Sequence, residues 1–417
     1  VSFFILLAAV PNLHAYTLPP ELLVKAKALE STRTALYFGG TAWTIGVLAL
    51  LVRGRMGERI ARLAERGVGA SRPWLQGFIA APLWLLLLAL AGLPVSVVSH
   101  HVSLVYGLSI EGWGAWSADW AKSTLLMLLV GTLVVSCLYA MLRRSTRWGW
   151  LGFWLLTLPL VVLGVFVAPL VIDPLFNHFT PLTKRDPALV VQLERVVARG
   201  GLSIPPSRMF VMDASRRYTG MNAYVTGFGA SKRIVVWDTT LPDAGAGMTA
   251  DELLDIYGHE QGHYVLGHIW KGMLYSAVLL IFFYWLAFRI IQAVIDRRGE
   301  AWHMAANPSD WSSLGLFLLV ATTLGFLADP LANAFSRMEE HQADVYGQEV
   351  IHGLVADPQA VAVRDFNRLG RMWLEDPEPN RFVVWWSYTH PPTGERANFA
   401  AAYDPWKPGG KPGYFPR

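Results

Sequence analysis

Residues 249–268 read Thr-Ala-Asp-Glu-Leu-Leu-Asp-Ile-Tyr-Gly-His-Glu-Gln-Gly-His-Tyr-Val-Leu-Gly-His. Thr249 with Glu252 is a capping box, in which a hydroxyl and a carboxylate satisfy orphaned N–H groups at a helix start. The stretch therefore reads as one helix. At 3.6 residues per turn, His259 and His263 stand one above the other, so both imidazoles reach a single metal ion from the same face. Glu260 projects beside them, where a general base must stand to take a proton from an activated water. His268, nine residues beyond His259, points to the opposite side of a continuous helix and is not expected on the metal. A zinc enzyme needs a third protein ligand and an open position, so another His, Asp or Glu has to come from elsewhere in the chain.

Composition sets the surroundings of this helix. Hydrophobic residues make up 53% of the 417, charged residues 16%, and there are 18 Trp. The mean hydropathy is +0.35. Such a chain is a membrane protein with polar portions rather than a soluble globule. The net charge of +4 arises from basic residues beside apolar runs, where they set membrane orientation, and nothing supports nucleic-acid binding. The single cysteine, Cys137, excludes an intrachain disulfide and a thiolate zinc cluster.

Long apolar stretches run from Ala35 to Val52, Trp74 to Val98, Ser123 to Leu142, Trp148 to Ile172, Gly272 to Ile295 and Ser312 to about Ala334. Each is long enough to cross a bilayer. Val1 to Val10 is apolar but too short, and reads as a truncated first span or as the end of a signal peptide cleaved after Ala15. Asp329 lies in the last span, so it should face protein or water rather than lipid. Residues 53–73 hold six arginines and residues 143–147 hold three, whereas residues 99–121 hold no Lys or Arg. The positive-inside rule then puts the arginine-rich loops in the cytoplasm and residues 173–271 and 335–417 on the other side.

The chain divides into a membrane region at 1–172, a catalytic region at 173–271 ending in the zinc helix, two more spans at 272–334, and a C-terminal catalytic part at 335–417. Within 173–271, Pro187 to Arg199 reads as an amphipathic helix, Arg208 to Met212 and Arg233 to Trp237 as short strands, and Gly220 to Gly229 as a loop or hairpin. A strand edge beside the zinc helix would suit an extended peptide. After the last span, Ser336 to Asp344 continues as a helix carrying Glu339, Glu340 and Asp344. One of these glutamates could complete a His2Glu site, with Asp344 orienting a histidine. Spacing does not choose between Glu339 and Glu340, and a solvated acidic face would look the same.

The order of the motifs resembles the type I CAAX prenyl protease family of integral membrane zinc metallopeptidases, the group of the yeast a-factor-converting and animal prelamin-processing enzymes. The residues that carry the resemblance are Leu18-Pro19-Pro20-Glu21-Leu22, Ala168-Pro169-Leu170, Phe179-Thr180-Pro181-Leu182, Asn222-Ala223-Tyr224 and Lys232 to Thr239. They continue through the HExGH helix with its later His268, Ser336-Arg337, Glu340 to Asp344, and Thr389-His390-Pro391-Pro392 with Arg396. The resemblance implies a mainly α membrane protein: a ring of about seven transmembrane helices enclosing a chamber, with a zincin-like α+β metalloprotease domain. It selects Glu340 as the ligand that joins His259 and His263 on one Zn2+ per chain, with Asp344 as its companion and Glu260 as the base. It places Asn222, His390 and Arg396 against substrate, His390 also stabilising the oxyanion.

Members in eukaryotes turn the catalytic side to the cytosol, which the arginine distribution here contradicts. The compact loops look prokaryotic, which implies a bacterial inner membrane. The substrate is then a peptide or protein, prenylated or otherwise associated with membrane lipids. A quality-control metalloprotease of the HtpX type is the nearest alternative, and a zinc-binding scaffold or transporter is the alternative from another class. The apolar elements ahead of His259 favour the CAAX protease arrangement over the first, and Glu260 argues against the second.

Overall fold

The computed structural model describes residues 13–227, 232–245 and 247–415. Val1 to Val10, expected as a truncated first span or the end of a signal peptide, lies outside them. Six described helices are long and apolar enough to cross a membrane. The first four elements of this part are α1 (Pro20–Arg53), the amphipathic α2 (Met56–Val68), α3 (Pro73–Val105) and α4 (Trp113–Arg144), followed by α5 (Gly149–Val171). The helices α1, α3 and α4 outrun the apolar stretches read from the sequence, whereas α5 matches its stretch to within one residue at either end. Hydropathy stops at the lipid boundary, but backbone i→i−4 bonding does not.

The spans α1, α3, α4 and α5, with α10 (His268–Arg298) and α11 (Leu314–Val350), touch in the cyclic order α1, α3, α4, α5, α10, α11 and back to α1. They form a closed ring. Individual contacts explain the order: Trp43 Nε1 donates to Ala91 O at 2.8 Å between α1 and α3, and Trp154 Nε1 to Ala277 O at 2.9 Å between α5 and α10. The Tyr37 hydroxyl donates to Asp329 between α1 and α11, which gives the acid at membrane depth its protein partner. The wall is one helix thick. Among the described residues, none in the most apolar part of the α5 span is buried.

At the arginine-rich end the ring has a floor. Trp84, Tyr139, Ile291, Ile295, Trp311 and Leu314 share one buried core, with Tyr139 stacked on Trp311 at 4.1 Å. The Arg143 guanidinium covers that stack 4.8 Å from the Trp311 ring.

The opposite end carries the polar segments. Two single-turn helices, α6 (Asp173–Phe176) and α7 (Leu182–Arg185), flank β1 (Phe179–Pro181); α8 (Pro187–Arg199) then leads to β2 (Met209–Met212), β3 (Ala223–Thr226) and β4 (Arg233–Trp237). The strands lie in the order β1-β2-β4-β3. The pair β2 and β4 is parallel and the other pairs are antiparallel, which leaves β3 as an edge. The strands expected at 208–212 and 233–237 are present, and β3 forms the first arm of the hairpin expected at 220–229, whose residues 228 and 229 lie outside the description. The helix expected at 187–199 is α8, and it buries Leu189, Leu193 and Val196 in a core shared with the sheet.

Next comes α9 (Ala250–Val265), and the C-terminal part holds α12 (Pro358–Met372), α13 (Arg381–Ser387) and α14 (Thr393–Ala402). The last span continues into the acidic helix as read from the sequence: α11 runs unbroken for 37 residues. The end of α11 packs along α9, and α12 and α14 close over both. Arg217 ties this cap to the ring. It reaches Glu111 at 3.3 Å and Asp119 at 2.6 Å on the membrane side, and donates to Phe176 O at 2.5 Å and Asn177 Oδ1 at 3.0 Å.

Candidate metal centre

The capping box read from the sequence is formed. Thr249 N donates to Glu252 Oε2 at 2.8 Å and Glu252 N to Thr249 Oγ1 at 3.3 Å. Glu252 is fully buried, and Arg368 and Arg364 lie 3.3 and 3.9 Å from its carboxylate. The start of α9 is therefore fixed.

From there α9 crosses α11 at very short range, and glycine makes this possible. A Cβ on Gly262 would lie 3.0 Å from Tyr346 Cβ, and one on Gly347 would lie 2.8 Å from His259 N. Any larger residue would hold the helices apart. The close crossing brings Glu340 of α11 to the two histidines of α9. His259 Nε2 is 3.2 Å from Glu340 Oε2, His263 Nε2 is 3.4 Å from Glu340 Oε1, and the two Nε2 atoms are 3.1 Å apart. All three residues offer donor atoms within 4.8 Å of one another. Glu339 sits on the neighbouring face, its Oε2 3.9 Å from the Cβ position of Gly272 on α10, away from the histidines. This is the choice that spacing left open.

Three observations fit a cation here. Two Nε2 atoms face each other at a distance where at most one can be a hydrogen-bond donor. Glu340 Oε2 is buried without a hydrogen bond. Burial would discharge His259, yet Asp344 and Glu340 outweigh it and push the His259 pKa up to about 10, so the pocket favours positive charge between these groups. Two imidazoles and one carboxylate match the donor set that a tetrahedral site with one open position would use.

Around this centre, Asp344 Oδ1 lies 2.8 Å from His259 Nδ1. Arg396 of α14, expected against substrate, is instead directed at Asp344, with Nε 2.9 Å from Oδ2 and Nη2 2.5 Å from Oδ1. His390 Nε2 is 3.4 Å from Glu340 Oε1 and its side chain is half exposed. Asn222 precedes β3; its backbone N–H donates to Thr240 Oγ1 at 2.9 Å and its carbonyl accepts from Trp237 N at 3.0 Å, which leaves the side chain exposed. Asn222, Glu260, His390 and Arg396 line one cavity of about 120 Å3. Burial raises the pKa of Glu260; the histidines oppose the shift, and the Val225 backbone of β3 hydrogen-bonds the carboxylate.

The sequence reading missed two acids behind His259. Asp255 and Asp365 are buried in the same cavity wall. Burial raises the pKa of each, and the neighbouring carboxylates (Asp344 for Asp255, Asp255 for Asp365) add to the shift. Asp255 stands four residues before His259, a helical spacing that marked it as sharing the histidine face, but nothing local marked Asp365. The helix expected to run through His268 stops at Val265. Gly267 takes φ 70 and His268 begins α10.

A metal-ready donor set at the mouth of a ring of membrane spans defines the chain as a multi-pass membrane metallopeptidase. The family model described as Peptidase family M48 matches residues 183–404, and the one described as CAAX prenyl protease N-terminal, five membrane helices, matches residues 5–178. The chain belongs to peptidase family M48, on its CAAX prenyl protease-like branch. The N-terminal match supports that branch over the HtpX-type alternative.

The Bacillus subtilis (strain 168) protein named Uncharacterized metalloprotease YhfN is 30% identical over 383 residues, which are 92% of this chain and 86% of that protein. The Homo sapiens CAAX prenyl protease 1 homolog is 25% identical over 430 residues, 91% of this chain and 87% of that one. The crystal structure of S. mikatae Ste24p superimposes with a TM-score of 0.77 at 21% identity, covering 93% of this chain and 90% of that one. This last likeness bears on the fold.

Proposed function

We propose that the chain is a zinc metalloendopeptidase whose single Zn2+ is held by His259, His263 and Glu340. The observation that carries this is the convergence of donor atoms from α9 and α11 within 4.8 Å, with Glu260 beside them. When bound, zinc lowers the pKa of the attacking water and polarises the scissile carbonyl.

The chain's own residues supply the rest. Glu260 takes the proton from the attacking water as its oxygen adds to the carbonyl carbon, and later delivers that proton to the departing amine nitrogen. Burial, which raises its pKa, suits it to both transfers. Asp344, gripped by Arg396, accepts from His259 Nδ1 and fixes the orientation of that ring; Arg396 is thus proposed as a support for the histidine rather than a substrate contact. His390 and Asn222, which line the same cavity, are proposed to donate to the carbonyl oxygen as it gains charge. The free edge of β3 offers backbone groups with which an extended peptide can pair.

The substrate proposed is a peptide or protein held at the membrane, prenylated or otherwise lipid-associated. The names of the eukaryotic relatives and the ring beneath the site support this choice. The arginine distribution supports a bacterial inner membrane with the cap outside the cytoplasm.

Glu260→Gln is expected to keep stoichiometric zinc and lose peptide cleavage. Glu340→Ala is expected to lose the zinc. Full cleavage by the first variant, or full zinc in the second, would refute the assignment. Protease added outside sealed right-side-out vesicles should cut the 220–229 loop, and protection there would reverse the orientation.

A further inference from the structure

The turn between α9 and α10 brings a third histidine against the centre. In a continuous helix, five residues rotate a side chain about 140° away, and His268 could not meet His263. With Gly267 in the left-handed region at φ 70, it does. His268 Nδ1 lies 3.0 Å from His263 Nδ1, and His268 Nε2 lies 3.1 Å from Gln342 Oε1 on α11. The His268 side chain is buried, and its ring meets that of His263 at 74°.

We infer that His268 is a positioning residue for His263, holding it in the tautomer that binds metal through a neutral His263–His268–Gln342 chain. The inference rests on the zinc reading above. Two facing ring nitrogens must be one donor and one acceptor. His263 turns Nε2 toward His259 and Glu340, and a neutral imidazole that gives its Nε2 lone pair to a metal carries its proton on Nδ1. That proton points at His268 Nδ1, which must accept it. His268 then carries its own proton on Nε2 and donates it to Gln342 Oε1. Every donor in the chain meets one acceptor, and no group needs a charge.

The two histidines are consequently supported in different ways. His259 leans on an ionised carboxylate locked by Arg396, whereas His263 leans on an imidazole and an amide. The turn at Leu266 and Gly267 serves the site as well as the topology, since it delivers His268 at the start of a membrane span.

The test uses the full chain purified in detergent, with zinc affinity measured by chelator competition and the visible spectrum of the Co2+-loaded protein as a second readout. His268→Asn keeps an acceptor close to the position of Nδ1, and His268→Leu keeps the shape without the acceptor. Loss of an outer hydrogen-bond partner weakens metal binding about 10–100-fold. H268L is expected to fall in that range with an altered Co2+ spectrum, and H268N to stay within about threefold of the unmodified chain. Gln342→Leu, which leaves both histidines in place, should weaken zinc by a smaller step.

Wild-type affinity in H268L and Q342L would overturn the inference, as would an H268N as weak as H268L, because that pattern means the ring only fills space. An unmodified chain that takes up no zinc would instead overturn the reading on which the inference rests.

Discussion

Replacing Gly347 by alanine tests whether the crossing of α9 and α11 sets the metal centre. The added Cβ would sit 2.8 Å from His259 N, 3.1 Å from His259 Cα and 3.3 Å from Asp255 O. All three are backbone atoms, so no side chain can rotate away. Ordinary contact begins at 3.4 Å, so α9 and α11 must separate by about 0.6 Å (3.4 less 2.8). Overpacking of this kind costs about 1–3 kcal/mol. The same displacement moves Glu340, two turns back along α11, from histidine nitrogens now 3.2 and 3.4 Å away.

A misplacement near 1 Å can cost about 100-fold in rate, so a loss of about 10- to 100-fold in kcat/KM is expected, together with weaker zinc binding. Gly325→Ala is the control. It lies on the same helix with nothing within 4 Å of its Cβ position, and the change there should be neutral or stabilising by about 0.5–1 kcal/mol. Zinc content, thermal midpoint and turnover of a peptide would be compared in the two variants. If G347A behaved like G325A, the close crossing would not be what holds the donors together.

Two further outcomes follow from other parts of the molecule. The raised Asp255 carboxyl, with a pKa of about 7, means that the folded chain binds more protons than the unfolded one between about pH 4 and that value. The stability it contributes is fully present below about pH 4 and is lost as pH rises through the folded pKa. Asp255→Asn should therefore gain thermal stability over the unmodified chain at pH 8 and little at pH 5; an equal difference at both would contradict the burial argument. Arg217→Met should strand the buried Glu111 and destabilise the chain toward the low end of the roughly 3–5 kcal/mol seen for broken buried pairs. Limited proteolysis of the cap would report the change, and adding Glu111→Gln should restore part of the loss.

The helix proposed to carry zinc was legible because its evidence is local: a capping box, two histidines at i and i+4, and a glycine between them. Spans were legible from hydropathy but their ends were not, since Pro20 and Val350 close helices whose outer turns are polar. Choosing Glu340 over Glu339 needed either a family pattern or the crossing of two helices, because adjacent residues on one helix differ by about 100° in direction and only the partner helix says which direction matters. Arg396 was found as part of a motif, but its contact with Asp344 was not. Its side chain is directed by Asp344, 52 residues away. Asp365 could not be found at all, since an acid becomes a buried acid only when α12 folds over α9. Gly267 was a readable stop signal that was passed over.

The unbroken α11 has a consequence for where a bond is cut. From Leu314, in the floor of the ring, to Glu340 is 26 residues of one helix, or about 39 Å of rise. The hydrocarbon layer is about 30 Å thick. With Leu314 taken at one edge of that layer and the usual tilt of about 20°, Glu340 would stand some 5–10 Å past the other edge. The helix is thus a gauge of height. It would set the level above the hydrocarbon at which a peptide bond meets the proposed metal centre, and for a substrate tethered in the bilayer it would limit the cut to the few residues that can stand at that level.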